Sequence, residues 1–201
     1  MGAQSHYLIL DYEEQLSGAI LEIGGDNGEK STDFYAGFAY KKQQFSFHTV
    51  DINKNIYNRT KELAKKVPNM QSYCTSGEEF LKETFPSFNE KICYAYLDNF
   101  DWNSHEGTPR DEWPDWMIQI EDEYKSRGVE LTQENSAAAH LTQTMLIEPF
   151  VADKCLIQFD DTYGNVDEYF GGKGMTAVPH LINKGWNILV CDNNTVVLSN
   201  F

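Results

Sequence analysis

Two short apolar runs end in carboxylates: Ile92-Cys93-Tyr94-Ala95-Tyr96-Leu97 runs into Asp98, and Cys155-Leu156-Ile157-Gln158-Phe159 into Asp160-Asp161. Such runs read as strands that deliver acids to one end of a sheet. If the two strands are neighbours, three carboxylates converge and repel one another unless a cation lies between them. All-oxygen donors favour a hard divalent ion, Mg2+ or Ca2+, over zinc. Asp101 adds a fourth acid close behind Asp98, and Asn99 a neutral oxygen. The plain alternative is a set of independent loop acids, each solvated or capping a helix.

A second constellation lies in Ala19-Ile20-Leu21-Glu22-Ile23-Gly24-Gly25-Asp26-Asn27-Gly28, an apolar run that breaks into closely spaced glycines. This reads as strand, tight turn and helix N-terminus, a backbone able to approach a nucleotide-type ligand closely. Glu22, inside the strand, is placed to order the turn from beneath and requires hydrogen-bond partners as a nearly buried acid. Asp51 ends the next β-rich run, roughly 27 positions beyond Gly24, near the spacing at which an acid accepts hydrogen bonds from ribose hydroxyls. The alternative for Asp51 is an exposed acid capping the following helix.

The elements that must hold these residues alternate. Strands are predicted at 18–24, 45–51, 71–75, 92–97 and 155–159, with a further one at Tyr7–Leu10. Helices are predicted from Ser31 to Tyr40, after Asn53, from the Ser76-Gly77-Glu78-Glu79 capping pattern, and over 112–127, 133–147 and 175–183. Tyr163 to Gly174 reads as a glycine-bearing loop. Trp186–Cys191 and Thr195–Leu198 close the chain as an antiparallel hairpin. The expectation is an α/β fold, a doubly wound, mostly parallel sheet with an antiparallel C-terminal edge. Ligands bind such sheets beyond the C-terminal ends of their strands. One domain over 1–201 is expected, with a helical and loop insertion at about 103–150 above those ends.

The 201 residues carry 16 Lys and Arg against 31 Asp and Glu, a net charge of -15. That field repels phosphate backbones and anionic membranes, which disfavours nucleic acid as a substrate. Cys74, Cys93, Cys155 and Cys191 are widely spaced and form no C-x-x-C pair. With no leader-like N-terminus and no apolar run of membrane-spanning length, a cytoplasmic location with reduced thiols is expected.

In order, Glu22-Ile23-Gly24 to Gly28, Thr49-Val50-Asp51-Ile52-Asn53, Ser76-Gly77-Glu78, Leu97-Asp98 and Phe159-Asp160-Asp161 resemble the motifs of class I S-adenosylmethionine-dependent methyltransferases. More narrowly, they are similar to the cation-dependent O-methyltransferases of the catechol and macrocin kind, over about residues 18–200. The resemblance implies a seven-stranded Rossmann-like sheet with S-adenosylmethionine across its first half. It assigns Glu22, Gly24, Gly25, Gly28, Ser31, Asp51, Ile52, Ser76, Gly77, Glu78 and Asp98 to the cofactor site. Within that set the loop of Gly24 passes the methionine part, Asp51 binds the ribose, and Ser76 to Glu78 flank the adenine. Asp98, Asp160 and Asp161 match the family's Mg2+-binding acids.

The sequence departs from that pattern at Asp26, where many of these enzymes have glycine, and at Asp101, where catechol-type enzymes carry a lysine base. Ser31 also lies one position later than the matching hydroxyl residue. Asp98, Asp101 and His105 are the catalytic candidates, with His140 and Lys173 as further bases; His140, in an Ala-rich helix, reads better as a packed histidine. The implied activity is metal-assisted O-methylation of a small molecule with an aromatic or sugar hydroxyl, walled by Trp102, Trp113, Trp116 and Tyr163. Neither nucleic acid nor membrane is expected as a partner, and a homodimer stays open. A rival reading is a cofactor-binding module without catalysis, acting in regulation or assembly. A nicotinamide-dependent oxidoreductase fits less well, because Gly24 to Gly28 does not spell G-x-G-x-x-G.

Overall fold

The computed structural model describes residues 6–25, 30–100, 102, 107–126, 128–165, 169–192 and 194–201. The chain enters through α1 (Leu8–Tyr12), where the sequence suggested a strand. Ile9 and Leu16 are buried and Tyr12 packs on the same cluster, while Leu10 is exposed. Those apolar positions are three and four apart, the spacing of a helix face rather than the alternation of a strand.

From there the chain alternates: β1 (Gly18–Ile23), α2 (Ser31–Lys41), β2 (Phe45–Asp51), α3 (Lys54–Ala64) and β3 (Met70–Cys74). Next come α4 (Gly77–Glu79), which continues as a π turn over Phe80–Thr84 and a 3-10 turn over Phe85–Phe88, and β4 (Ile92–Leu97). After α5 (Asp115–Ser126) and α6 (Gln133–Ile147) the chain returns through β5 (Val151–Asp160). Two short strands follow, β6 (Thr162–Gly164) and β7 (Phe170–Gly172), then α7 (Ala177–Asn183), β8 (Asn187–Cys191) and β9 (Thr195–Ser199).

The expected caps are formed. Asn53 Oδ1 accepts the Asn55 N–H at 2.8 Å at the start of α3, and Ser76 Oγ accepts the Glu79 N–H at 3.1 Å. Thr132 Oγ1 does the same for Asn135 at 3.1 Å ahead of α6. Each satisfies an N–H that the helix itself leaves unpaired, for about 1 kcal/mol.

The sheet has seven strands in the order β3-β2-β1-β4-β5-β9-β8. The four pairings that link β3, β2, β1, β4 and β5 are parallel, and β9 runs antiparallel between β5 and β8. This is the doubly wound architecture with its antiparallel edge. A second departure is at 163–174, expected as a loop: β6 and β7 pair there as a separate small hairpin, Thr162 with Gly172 and Gly164 with Phe170.

Side-chain alternation splits the core between the two faces. Leu21, Ile23, Val50, Ala95, Leu97, Ile157 and Phe159 face the α4 stretch, α6 and α7. Ile20, Phe47, Tyr94, Tyr96 and Leu156 face α1 and α2. Each fully buried Leu, Ile or Phe contributes about 1.5–3 kcal/mol, so both layers are needed to hold the central strands rigid. Among the described residues no helix is long and apolar enough to cross a membrane.

Candidate functional site

The register across the sheet aligns the predicted site residues. Ile23 of β1 pairs with Val50 of β2 and with Leu97 of β4, and Leu97 pairs with Phe159 of β5. The residue after each member of that row is Gly24, Asp51, Asp98 or Asp160, so these four form the next row at the C-terminal rim. Neighbouring strands lie about 4.8 Å apart, which puts the β2 and β4 acids roughly 10 Å from each other with the glycine turn between them. The ladder extends one step into this row: Gly24 N–H donates to the Val50 carbonyl and Asp98 N–H to the Ile23 carbonyl, both at 2.9 Å.

Gly24 has φ of +95°, and a Cβ there would stand 2.5 Å from the Asp98 carbonyl oxygen and the Asn99 nitrogen. Only glycine permits this turn to lie so close over the end of β4. Gly25 donates its N–H to Asp51 Oδ2 at 2.8 Å, and Asp51 Oδ1 accepts the Asn53 N–H at 2.6 Å. Asp51 is therefore held toward the turn by two backbone donors. Ile52 follows, partly buried.

Glu22 lies beneath the turn with the hydrogen-bond partners that its burial requires. It is fully buried on the α2 face and accepts hydroxyls from Ser31 at 2.8 Å, Thr32 at 2.7 Å and Thr49 at 2.6 Å. Thr49 is its cross-strand partner in the β1–β2 register. Glu22 and Ser31, both assigned to the cofactor site by the resemblance, are bonded to each other beneath the turn, where they tie α2 to β1. Gly77 likewise serves packing: a Cβ there would meet Ile23 Cγ2 at 2.6 Å. Glu78 remains at the rim, where it accepts Gln143 Nε2 at 2.9 Å.

The acids of β4 and β5 do converge, and a cation does lie between them. It is the ammonium of Lys173. Its side chain is fully buried, with Nζ 2.5 Å from Asp98 Oδ1 and 3.0 Å from Asp161 Oδ2. Asp160 turns to the α2 face, where Thr195 donates to its Oδ1 at 3.2 Å. The Tyr96 hydroxyl lies 2.8 Å from Asp160 Oδ2 and 3.0 Å from Asp98 Oδ2 and shares its proton between them. Burial, with Asp98 and Asp160 adding to it, pushes the Tyr96 phenol well above its usual range.

The expectation that Asp98, Asp160 and Asp161 jointly ligate Mg2+ finds no support in this arrangement. Asp98 and Asp161 are occupied by Lys173, Asp160 is turned away onto hydroxyls, and among the described residues no group of three His, Cys, Asp or Glu is placed to hold a metal ion. The residues present do not fit a divalent ion bound by all three acids. An adenosyl-type cofactor would find at the same rim a glycine turn lying close over the end of β4 and the Asp51 carboxylate beside it.

Asp26, Gly28, Asp101 and His105 fall outside the described residues, as does the side chain of Trp116. His140 is fully buried in α6 and bonded through Nδ1 to the Ser136 carbonyl at 2.8 Å, the packed role expected of it. Trp113 donates its indole N–H to the Thr108 carbonyl at 3.0 Å, and Tyr163 packs its ring over Gly171. Residues that sequence reasoning missed are Thr32, Thr49, Tyr96 and Thr195, the hydroxyls that complete the carboxylates. A signal existed for Thr49 and Tyr96, which occupy the same row as Glu22 once the strands are aligned.

No family model matches the sequence, and no curated protein matches it. Solved structures do. A candidate methyltransferase of Streptococcus mutans in complex with SAH aligns over 98% of this chain and 95% of its own, with a TM-score of 0.55 at 14% identity. The N-methyltransferase NodS of Bradyrhizobium japonicum WM9, in complex with S-adenosyl-L-homocysteine, aligns over 98% and 84%, with a TM-score of 0.53 at 11% identity. The CMeT domain of the citrinin polyketide synthase gives 0.56 at 9% identity, covering 98% of this chain and 51% of that one. Strand order, closing hairpin and these likenesses agree that the chain has the Rossmann-like fold of S-adenosylmethionine-dependent methyltransferases.

Proposed function

We propose that this chain is an S-adenosylmethionine-dependent methyltransferase acting on a hydroxyl of a small molecule. The observation that carries the reading is the Gly24-Gly25 turn locked to Asp51 at the rim of a methyltransferase-type sheet. The cofactor supplies an electrophilic methyl on a sulfonium. Asp51 would hold the ribose hydroxyls, Gly24 and Gly25 would pass the chain beside the methionine part, and Ser76 and Glu78 would flank the base. Asp98 faces the rim with its side chain 18% exposed. It would receive the acceptor's proton as the acceptor oxygen bonds to the methyl carbon and the carbon–sulfur bond breaks.

Most of the rate enhancement in such a reaction comes from alignment, worth about 7–11 kcal/mol at best. A net charge of -15 supports a small-molecule acceptor over a nucleic acid. No step is routed through a metal ion. The test is calorimetric titration with S-adenosylhomocysteine. Binding by the wild-type chain and a loss of about tenfold or more in D51N, with the fold intact by circular dichroism, is the expected outcome. Absence of binding to the wild-type chain would overturn the reading, and binding without methyl transfer to any hydroxyl acceptor would reduce it to a cofactor-binding module.

A further inference from the structure

Lys173 is an unusual occupant of a sheet rim: a lysine with no exposed side-chain surface, set between two acids from different strands. Lysine is almost never fully buried without a partner, because its ammonium loses hydration that only close anions restore. Here the surroundings are built to deliver it. After β5 the backbone turns at Asp161, with φ of +43°, and β6 and β7 fold back on that turn. Gly172 has φ of +77°, and a Cβ there would fall 1.8 Å from the Asp161 carbonyl oxygen.

The next residue, Lys173, donates its own N–H to that same carbonyl at 3.2 Å. Gly174 N–H then bonds Thr162 Oγ1 at 2.9 Å, and the Thr162 hydroxyl donates to the Asp160 carbonyl, also at 2.9 Å. The hairpin is thus pinned to both acids at the end of β5. From this pinned backbone the Lys173 side chain runs to Asp98 and Asp161.

We propose that Lys173 is a built-in cation that occupies the position a divalent metal would otherwise take, making the strand-end acids a metal-independent site. The argument is one of charge and space. Two carboxylates on adjacent strands require positive charge. A bound metal would demand several oxygens around one point, whereas an ammonium carries three donors on a tether fixed by the hairpin. Lys173 acts through Asp98, whose second oxygen is fixed by Tyr96, and is therefore a positioning residue. It neutralises and orients the carboxylate that faces the rim. This inference rests on the placement of Lys173 alone and stands or falls independently of the methyl-transfer reading.

The experiment is Mn2+ titration followed by loss of the free-ion electron paramagnetic resonance signal, at moderate salt, on the wild-type chain and on K173M, K173R and K173M/D98N. The wild-type chain and K173R are expected to show no saturable site tighter than about 1 mM, the weak end of protein carboxylate sites. K173M, with two acids left facing a vacated position, should gain one saturable site at least about tenfold tighter, and D98N added to it should remove that gain.

A saturable Mn2+ site in the wild-type chain that D98N abolishes would overturn the proposal, as would a folded K173M with no gain. Should K173M fail to fold, the wild-type and K173R titrations decide: saturable binding abolished by D98N overturns it, and inertness of both upholds it.

Discussion

Two acid systems, one inside β1 and one at the ends of β4 and β5, solve the same electrostatic problem differently. Glu22, in the interior of β1, accepts three hydroxyls from α2 and β2. Asp98 and Asp161, one step further out at the rim, are held by an ammonium. Hydroxyls solvate a single charge, keep it charged and lock neighbouring elements together; each charge-assisted bond is worth about 1.5–3 kcal/mol. An ion pair cancels charge, which matters where two acids meet and where solvent or a ligand approaches. The sheet thus uses dipoles in its interior and opposite charge at its working edge.

The comparison is broken most sharply at Glu22. E22A should cost about 3–5 kcal/mol, because it strands three buried hydroxyls and opens a cavity. Urea denaturation measures this, and a cost below 1 kcal/mol would mean that the hydroxyls find other partners. K173M should cost less, about 2–4 kcal/mol: it breaks a paired charge, but Asp161 is 44% exposed and water can compensate. The same denaturation series reports it, and an equal or larger loss than in E22A would reverse the ranking of the two systems.

The smallest effect separates them by pH. Tyr96 belongs to the rim system, and its phenol is held above the ordinary value of 10.0 by burial and then by Asp98 and Asp160. A raised folded value means the contribution is complete below pH 10 and is lost as pH rises further, because the unfolded chain releases that proton first. Between the unfolded and folded values, stability should fall about 1.4 kcal/mol per pH unit more steeply in the wild-type chain than in Y96F. Equal slopes would show that Tyr96 ionises freely in the folded state.

Local signals carried most of the fold. The runs ending at Gly24, Asp51, Asp98 and Asp160 identify strands and their working ends, and the caps at Asn53, Ser76 and Thr132 fall where side-chain type puts them. What stayed illegible depended on tertiary neighbours. Leu8-Ile9-Leu10 is apolar at three consecutive positions, so its helical face appears only once Ile9, Tyr12 and Leu16 have a surface to meet. The 163–174 stretch looks like a loop because Gly171, Gly172 and Gly174 suggest freedom, whereas each is needed for close approach in a hairpin. Ser31 and Glu22 were read as ligand contacts, since a sequence does not show which polar groups satisfy one another. The need for a cation between the acids was legible from their charge; its source, a lysine on a different element, was not.

The ion pair at the rim also sets an order of events. Lys173 and Asp98 are 75 positions apart in the chain, and their meeting requires β4, β5 and the β6–β7 hairpin together. Contacts of such separation form late, after loop closure has been achieved by shorter-range pairings. Until the hairpin docks, the rim carries uncompensated negative charge, so a chain stalled at that stage differs from the finished one in its surface charge as well as its shape. Docking of the hairpin then lowers the charge of the Asp98–Asp161 pair from two negative to one, and a linkage absent from the folding barrier acts chiefly by slowing the chain's escape from its native state.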